Sequence, residues 1–264
     1  MKKFLSMALI AAMTLSLAAC GGNSGNEADS TGAGSASSDK TYVIATDTVF
    51  APFEFTDENN QFVGIDVDIL AAIAEDQGFT YELNPLGFDA AVASLESGQS
   101  DGVIAGMSIT DERKKKYDFS ESYYDSYVAI AAAENSDIQG LDDLKGQTVA
   151  AKTGTQGASC AESLKDEYGF KIQYFDESSL MYQDVVTGNT VACFEDYPVM
   201  AYGVSQGNGL KIVAEEKDEY STPYGFAVLK GQNAELLEMF NTGLANIKAD
   251  GTYDEILAKY TSAE

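Results

Sequence analysis

The chain has 264 residues, no histidine, three cysteines and a formal net charge of −26. Without histidine, zinc sites of the usual kind and every Ser-His or Cys-His nucleophile pair are excluded. The acidic balance excludes nucleic acid as a partner, because phosphates need opposed lysines and arginines.

The N-terminus reads as a signal peptide over residues 1–19. Lys2 and Lys3 form a positive start, and Phe4 to Ala19 is an apolar run too short to span a bilayer comfortably. Leu17-Ala18-Ala19-Cys20 resembles the lipobox of bacterial lipoproteins, which implies lipidation of Cys20 and a membrane anchor. Residues 20–39 read as a flexible linker: ten of the nineteen residues after Cys20 are Gly or Ser, too few apolar groups to offset ordering entropy.

Tyr42 to Thr46 is a short β-branched run and predicts a strand. A loop rich in Phe, Pro, Asp and Asn follows. Asp66 to Glu75 predicts a helix with Asp66 as N-cap, Ile69, Leu70 and Ile73 as its apolar stripe, and Gly78 as its stop. Phe79 to Leu83 predicts a strand, Asp89 to Glu96 a helix and Gly102 to Ala105 a strand. The alternation implies a mostly parallel sheet with helices on both faces. A second unit repeats the order. Its strands are Thr148 to Ala151, Lys171 to Phe175 and Thr190 to Phe194, and its helices Gly157 to Tyr168 and Leu180 to Val186. Glu235 to Ile247 and Thr252 to Tyr260 predict two last helices. Cys160 and Cys193 read either as one disulfide or as two small buried residues.

In open α/β sheets ligands bind beyond the carboxyl ends of the strands, so the post-strand loops are where chemistry belongs. Arg113 offers a planar fork that matches a carboxylate. Gly106 lets backbone approach a ligand, and Ser108 adds a hydroxyl. Thr155 and Gln156 open a helix whose N-terminus favours a negative group. Asp196 is an acceptor for an ammonium, and Phe50, Phe53 and Phe88 are candidate apolar walls. Duller readings stand beside these. Arg113 lies in a charge run typical of a solvated face, Asp196 precedes a Tyr-Pro turn, and the phenylalanines suit a core.

Together these segments resemble the periplasmic-binding-protein-like solute receptors of polar amino-acid ABC importers, the bacterial extracellular solute-binding proteins of family 3. The likeness runs from about Tyr42 to Tyr260. It rests on Ala45-Thr-Asp-Thr, Pro52-Phe-Glu-Phe, Gly64-Ile-Asp-Val-Asp, Ser108-Ile-Thr-Asp-Glu-Arg, Tyr117-Asp-Phe-Ser and Asp250-Gly-Thr-Tyr-Asp-Glu-Ile. The resemblance implies an α/β, two-lobe type II fold with a two-strand hinge. Residues 40–124 plus 226–264 form lobe 1 and residues 129–220 form lobe 2. It implies that Arg113, Gly106 and Ser108 hold a ligand's α-carboxylate end, that Asp196 takes the α-amino group, and that Phe50 and Phe88 flank it. Asp47 and Lys152 match positions that read the side-chain amide in glutamine-binding members. A neutral amide uses both, donating to Asp47 and accepting from Lys152. Glu195 departs from that pattern, and a cleft-facing Glu195 would favour another polar or basic amino acid. The implied partners are a free L-amino acid, the membrane subunits of an ABC permease and the membrane itself, for an extracytoplasmic monomer with no cofactor or metal. A dehydratase of the cyclohexadienyl type, with Glu195 and Asp196 as an acid–base pair, is the enzymatic alternative on the same scaffold. A sensor module is a further one.

Overall fold

In the computed structural model, which describes residues 40–218, 220–221 and 223–261, the chain opens with β1 (Thr41–Thr46). The predicted signal peptide, Cys20 and the linker lie outside the described residues. A small hairpin of β2 (Phe55–Thr56) and β3 (Phe62–Val63) leads into α1 (Ile65–Gln77). Then come β4 (Thr80–Pro85), α2 (Phe88–Glu96), β5 (Gly102–Val103) and β6 (Tyr117–Phe119). The middle of the chain supplies β7 (Val128–Ala133), β8 (Thr148–Lys152), α3 (Gln156–Tyr168), β9 (Lys171–Phe175) and α4 (Ser178–Val186). It continues with β10 (Ala192–Asp196), α5 (Tyr197–Ser205) and β11 (Leu210–Glu216). β12 (Ala227–Leu229), α6 (Ala234–Asp250) and α7 (Thr252–Thr261) complete it. Among the described residues no helix is long and apolar enough to cross a membrane.

Two five-stranded sheets result. The first runs β4-β1-β5-β12-β6 and the second β11-β7-β10-β8-β9. Each is mixed, where the sequence pattern predicts mostly parallel. In the first, β1 lies parallel to β4 and β5, but β12 runs antiparallel to β5 and β6. In the second, β8 lies parallel to β9 and β10, but β7 runs antiparallel to β10 and β11. The antiparallel members β12 and β7 each follow a segment that crosses between the sheets, so they enter from the opposite end. The two crossings touch. Tyr224 N–H donates to Tyr124 O at 2.8 Å, and Tyr123 N–H to Tyr224 O at 3.0 Å.

Helices cover both faces of both sheets. On the first, α1 and α6 bury Ile69, Ile73, Leu236, Phe240 and Leu244 on one side, and α2 buries Ala91 and Leu95 on the other. Phe240 stacks on Phe226 with centroids 4.5 Å apart. On the second, α3 packs Ala158 and Ala161 against Val149 and Phe194, while Met181, Val185 and Met200 fill the opposite side. Cys160 and Cys193 are buried thiols in these two separate clusters, with no disulfide between them.

The predicted helix boundaries shift at one informative place. Gly64, not Asp66, is the N-cap of α1, and Asp66 is the second residue inside the helix. Its carboxylate turns inward, because it meets two donors there. Gly106 N–H lies at 2.7 Å and Tyr123 O–H at 2.8 Å.

Candidate functional site

The carboxyl ends of β1, β5, β8 and β10 converge on one small cavity between the sheets, with a volume of about 10 Å³. Ten of the eleven cleft candidates line it, joined by Ala105; Phe53 is the exception.

From the first sheet come the end of β1 and the loop after β5. Gly106 has φ +52°, and a Cβ there would sit 2.4 Å from Cε1 of Phe50. Only glycine gives both this backbone and the close ring contact. Ser108 is buried beside it. Arg113 starts a single 3-10 turn, with its backbone N–H on Thr110 Oγ1 at 3.2 Å. Lys114, Lys115 and Lys116 around it are exposed, as a solvated charge run demands, but Arg113 is half-buried and turns inward. Its Nη1 donates to Ser108 O at 2.9 Å and its Nη2 to Gly154 O at 3.0 Å, with the guanidinium 5.3 Å from the centre of the Phe88 ring. Phe50 and Phe88 are buried walls. Phe53 is not. It packs edge-on against Tyr124 and Tyr224, at 4.9 and 5.0 Å, as core.

From the second sheet come Lys152, Thr155, Gln156 and Asp196. Thr155 is the N-cap of α3. Its Oγ1 accepts from Ala158 N–H at 3.2 Å, and Thr155 and Gln156 put the N-terminus of α3 at the cavity. Lys152 ends β8, is 1 % exposed, and forms an ion pair and hydrogen bond with Asp47 from the other sheet. Asp47 also accepts from Thr48 N–H at 2.6 Å. Such a pair holds together only while both members stay, because removing one strands a buried charge at a cost of about 3–5 kcal/mol.

Asp196 ends β10 and is buried. It accepts a 2.5 Å hydrogen bond from Tyr224 O–H. Burial pushes its carboxyl up to about 7, helped by the neighbouring Glu195, while Tyr224, Arg113 and Lys152 oppose the rise. Glu195 points to the other face of β10. Its carboxylate accepts from Ser178 Oγ at 2.7 Å, Tyr182 O–H at 3.0 Å and Asp196 N–H at 3.0 Å. It is not among the residues that line the cavity. Two contributors escape sequence reasoning. Tyr224 has no motif around it, and Asp66, the anchor of Gly106, reads as a helix cap.

The family model of bacterial extracellular solute-binding proteins, family 3, matches residues 42–263. The chain is 31% identical to the arginine-binding extracellular protein ArtP of Bacillus subtilis, over 100% of both chains. An ancestral arginine-binding protein, solved bound to glutamine and also bound to arginine, is 40% identical, with a TM-score of 0.76 over 84% of this chain and 98% of its own. Substrate binding domain 2 of Lactococcus lactis GlnP, solved in an open conformation, is 44% identical over 85% of this chain and 96% of its own, with a TM-score of 0.58.

Proposed function

The chain belongs to the bacterial extracellular solute-binding proteins, family 3, and from that premise we propose that it captures a free L-amino acid, glutamine in preference, in the cavity between its two lobes. Its fold is the α/β, two-lobe type II arrangement of this family. The lobes comprise residues 40–124 plus 226–264 and residues 129–220, and the crossings at 124–129 and 221–225 act as hinge.

The observation that carries this reading is the convergence of Arg113 and Asp196 from opposite lobes on one cavity, beside the Asp47–Lys152 pair. Arg113 takes the α-carboxylate, with Gly106, Ser108 and the N-terminus of α3 around it. Asp196 takes the α-ammonium. A side-chain amide meets the Asp47–Lys152 pair from the cavity side, donating to the carboxylate and accepting from the ammonium. A cationic side chain suits Asp47 but meets Lys152, and an acidic one suits Lys152 but meets Asp47. Glu195, occupied elsewhere, adds no second negative charge to that end. A basic amino acid is the second reading, supported by the arginine in the names of the relatives.

Ligand bound to both lobes stabilises only the closed arrangement. The higher-identity domain solved open superposes less well than the ancestral protein, which supports a closed arrangement here. Micromolar capture needs about −8.2 kcal/mol, within reach of three or four charge-assisted bonds. The closed form then docks on an ABC permease. Cys20 carries the lipid anchor and residues 21–39 the reach. Capture without chemistry is favoured over dehydration, because the carboxylates near Asp196 are committed elsewhere, Asp47 to Lys152 and Glu195 to Ser178 and Tyr182.

Thermal-shift screening against the twenty amino acids tests the reading, since a ligand of the native state raises Tm. Glutamine gives the largest shift, and Asp47→Ala reorders the preferences by tenfold or more in calorimetric titration. A chain that responds to no amino acid refutes it.

A further inference from the structure

Outside the cavity lining lie two fully buried acids, Glu54 and Asp66. Glu54 is fully buried, in the loop that packs on α1. No donor among the described residues meets either of its carboxyl oxygens, nor Oδ1 of Asp66. Asp66 N–H donates to Phe53 O at 2.9 Å, next to Glu54 in the chain, and the two buried carboxyl groups act on each other. Two neighbouring buried carboxyl groups are costly as anions together, and a proton on one of them would satisfy an orphan oxygen of the other. Asp66 has two donors on its other oxygen, Gly106 N–H and Tyr123 O–H, so it is the better anion, and the proton belongs to Glu54.

We propose that Glu54 is a carboxylic acid that keeps its proton at neutral pH and donates it to Asp66, fixing the carboxylate that holds the Gly106 end of the cleft. Glu54 is thus a positioning residue that acts through Asp66. The groups facing it agree. Burial, Asp66 and Asp47 all push its carboxyl up, in that order. Lys152 pulls the other way, but its ammonium is committed to Asp47. Tyr123, the remaining titratable neighbour, is itself pushed well above its ordinary value by burial. Asp66 rises only to about 6, because Gly106 and Tyr123 hold its anion. The arrangement gives the backbone at Gly106, with its left-handed φ, a fixed acceptor without placing two like charges in the core.

The proton's position is independent of any ligand, so its test stands apart from the proposed function. In the unliganded wild-type protein, the side-chain carboxyl carbon of Glu54 is followed by NMR from pH 5 to 9. Its resonance stays at the acid position to at least pH 8. A carboxylate position at pH 7 overturns the proposal. Urea unfolding of Glu54→Gln gives a second reading. Gln keeps a neutral donor, so it matches wild type near pH 4. Above that, unfolded Glu54 ionises while the folded one does not. The wild-type unfolding constant therefore rises relative to Glu54→Gln by about tenfold per pH unit. A pH-independent difference, or a variant that is uniformly less stable, overturns it.

Discussion

In the first lobe the cleft-facing cation is held in large part by its own surroundings. Arg113 donates to Ser108 O five residues away and lies over Phe88, and only its second nitrogen reaches across to Gly154. In the second lobe the charged groups find their partners elsewhere. Lys152 pairs with Asp47 of the first lobe, and Asp196 with Tyr224 of the return crossing. The lobes share a plan of five strands with helices on both faces, yet the guanidinium of one is held mainly by its own lobe, while the charged groups of the other are paired outside it. Such charges are stable in water when the lobes part and stable in the cleft when paired, and costly in between.

Removing the Arg113 guanidinium breaks this comparison most severely. Arg113→Ala takes away the fork while leaving lobe closure possible. Truncating one partner of a buried charge pair costs about 2–5 kcal/mol, or roughly 30- to 5,000-fold in Kd. Calorimetric titration shows that loss for every amino acid alike, whereas unaltered affinity removes Arg113 from the site.

The second lobe responds to pH instead. With Asp196 raised to about 7, the ligand binds its anion, so affinity falls by up to about tenfold per pH unit below 7, and binding near pH 6 releases a proton. The folding balance has the opposite sense. A carboxyl raised above its ordinary value leaves the folded chain holding an extra proton between pH 4 and 7, and stability without ligand falls across that window. The loss is on the order of 4 kcal/mol. Asp196→Asn flattens the pH dependence of unliganded Tm while abolishing capture, two effects that chemical denaturation and calorimetry read separately.

Tyr224→Phe sharpens the contrast between lobe and crossing. Its hydroxyl hydrogen bond to the Asp196 anion is worth about 1.5–3 kcal/mol, so the carboxyl rises by roughly one to two pH units on losing it. Affinity at pH 7 then drops about 5- to 50-fold and recovers by pH 9. A loss that persists at pH 9 assigns Tyr224 to packing alone.

How much of this was legible follows from how local each signal is. β1, β9 and α1 declare themselves in β-branched runs, an apolar stripe and a glycine stop. β7 does not. Val-Ala-Ile-Ala-Ala-Ala has a composition of good helix formers, yet it becomes a central strand because Val128 to Ala132 are wholly buried between β10 and β11. Small side chains there let helices approach from both faces. Asp196-Tyr-Pro reads as a turn, though proline at a first helical position also starts α5. Ten of the eleven candidates share the cavity lining because they lie at or beyond the carboxyl ends of strands, where topology brings the loops together. Asp66 and Tyr224 were not, since their roles depend on partners 40 and 28 residues away.

The smallest expected effect lies on the far face of β10. Glu195 and Asp196 are adjacent carboxylates, both buried and both pushed up by burial. Glu195 is satisfied by Ser178, Tyr182 and the Asp196 amide on the side away from the cleft. It reaches the ligand only through its charge, which raises Asp196. Glu195→Gln removes that charge and keeps an oxygen acceptor for Ser178 or Tyr182. Asp196 then ionises more readily. At pH 7, where about half of it is anionic, the most that affinity gains is about twofold. The pH profile of Kd moves to the acid side without changing the order of preference among amino acids. A changed order would instead bring Glu195 into contact with the ligand side chain and revive the basic-amino-acid reading.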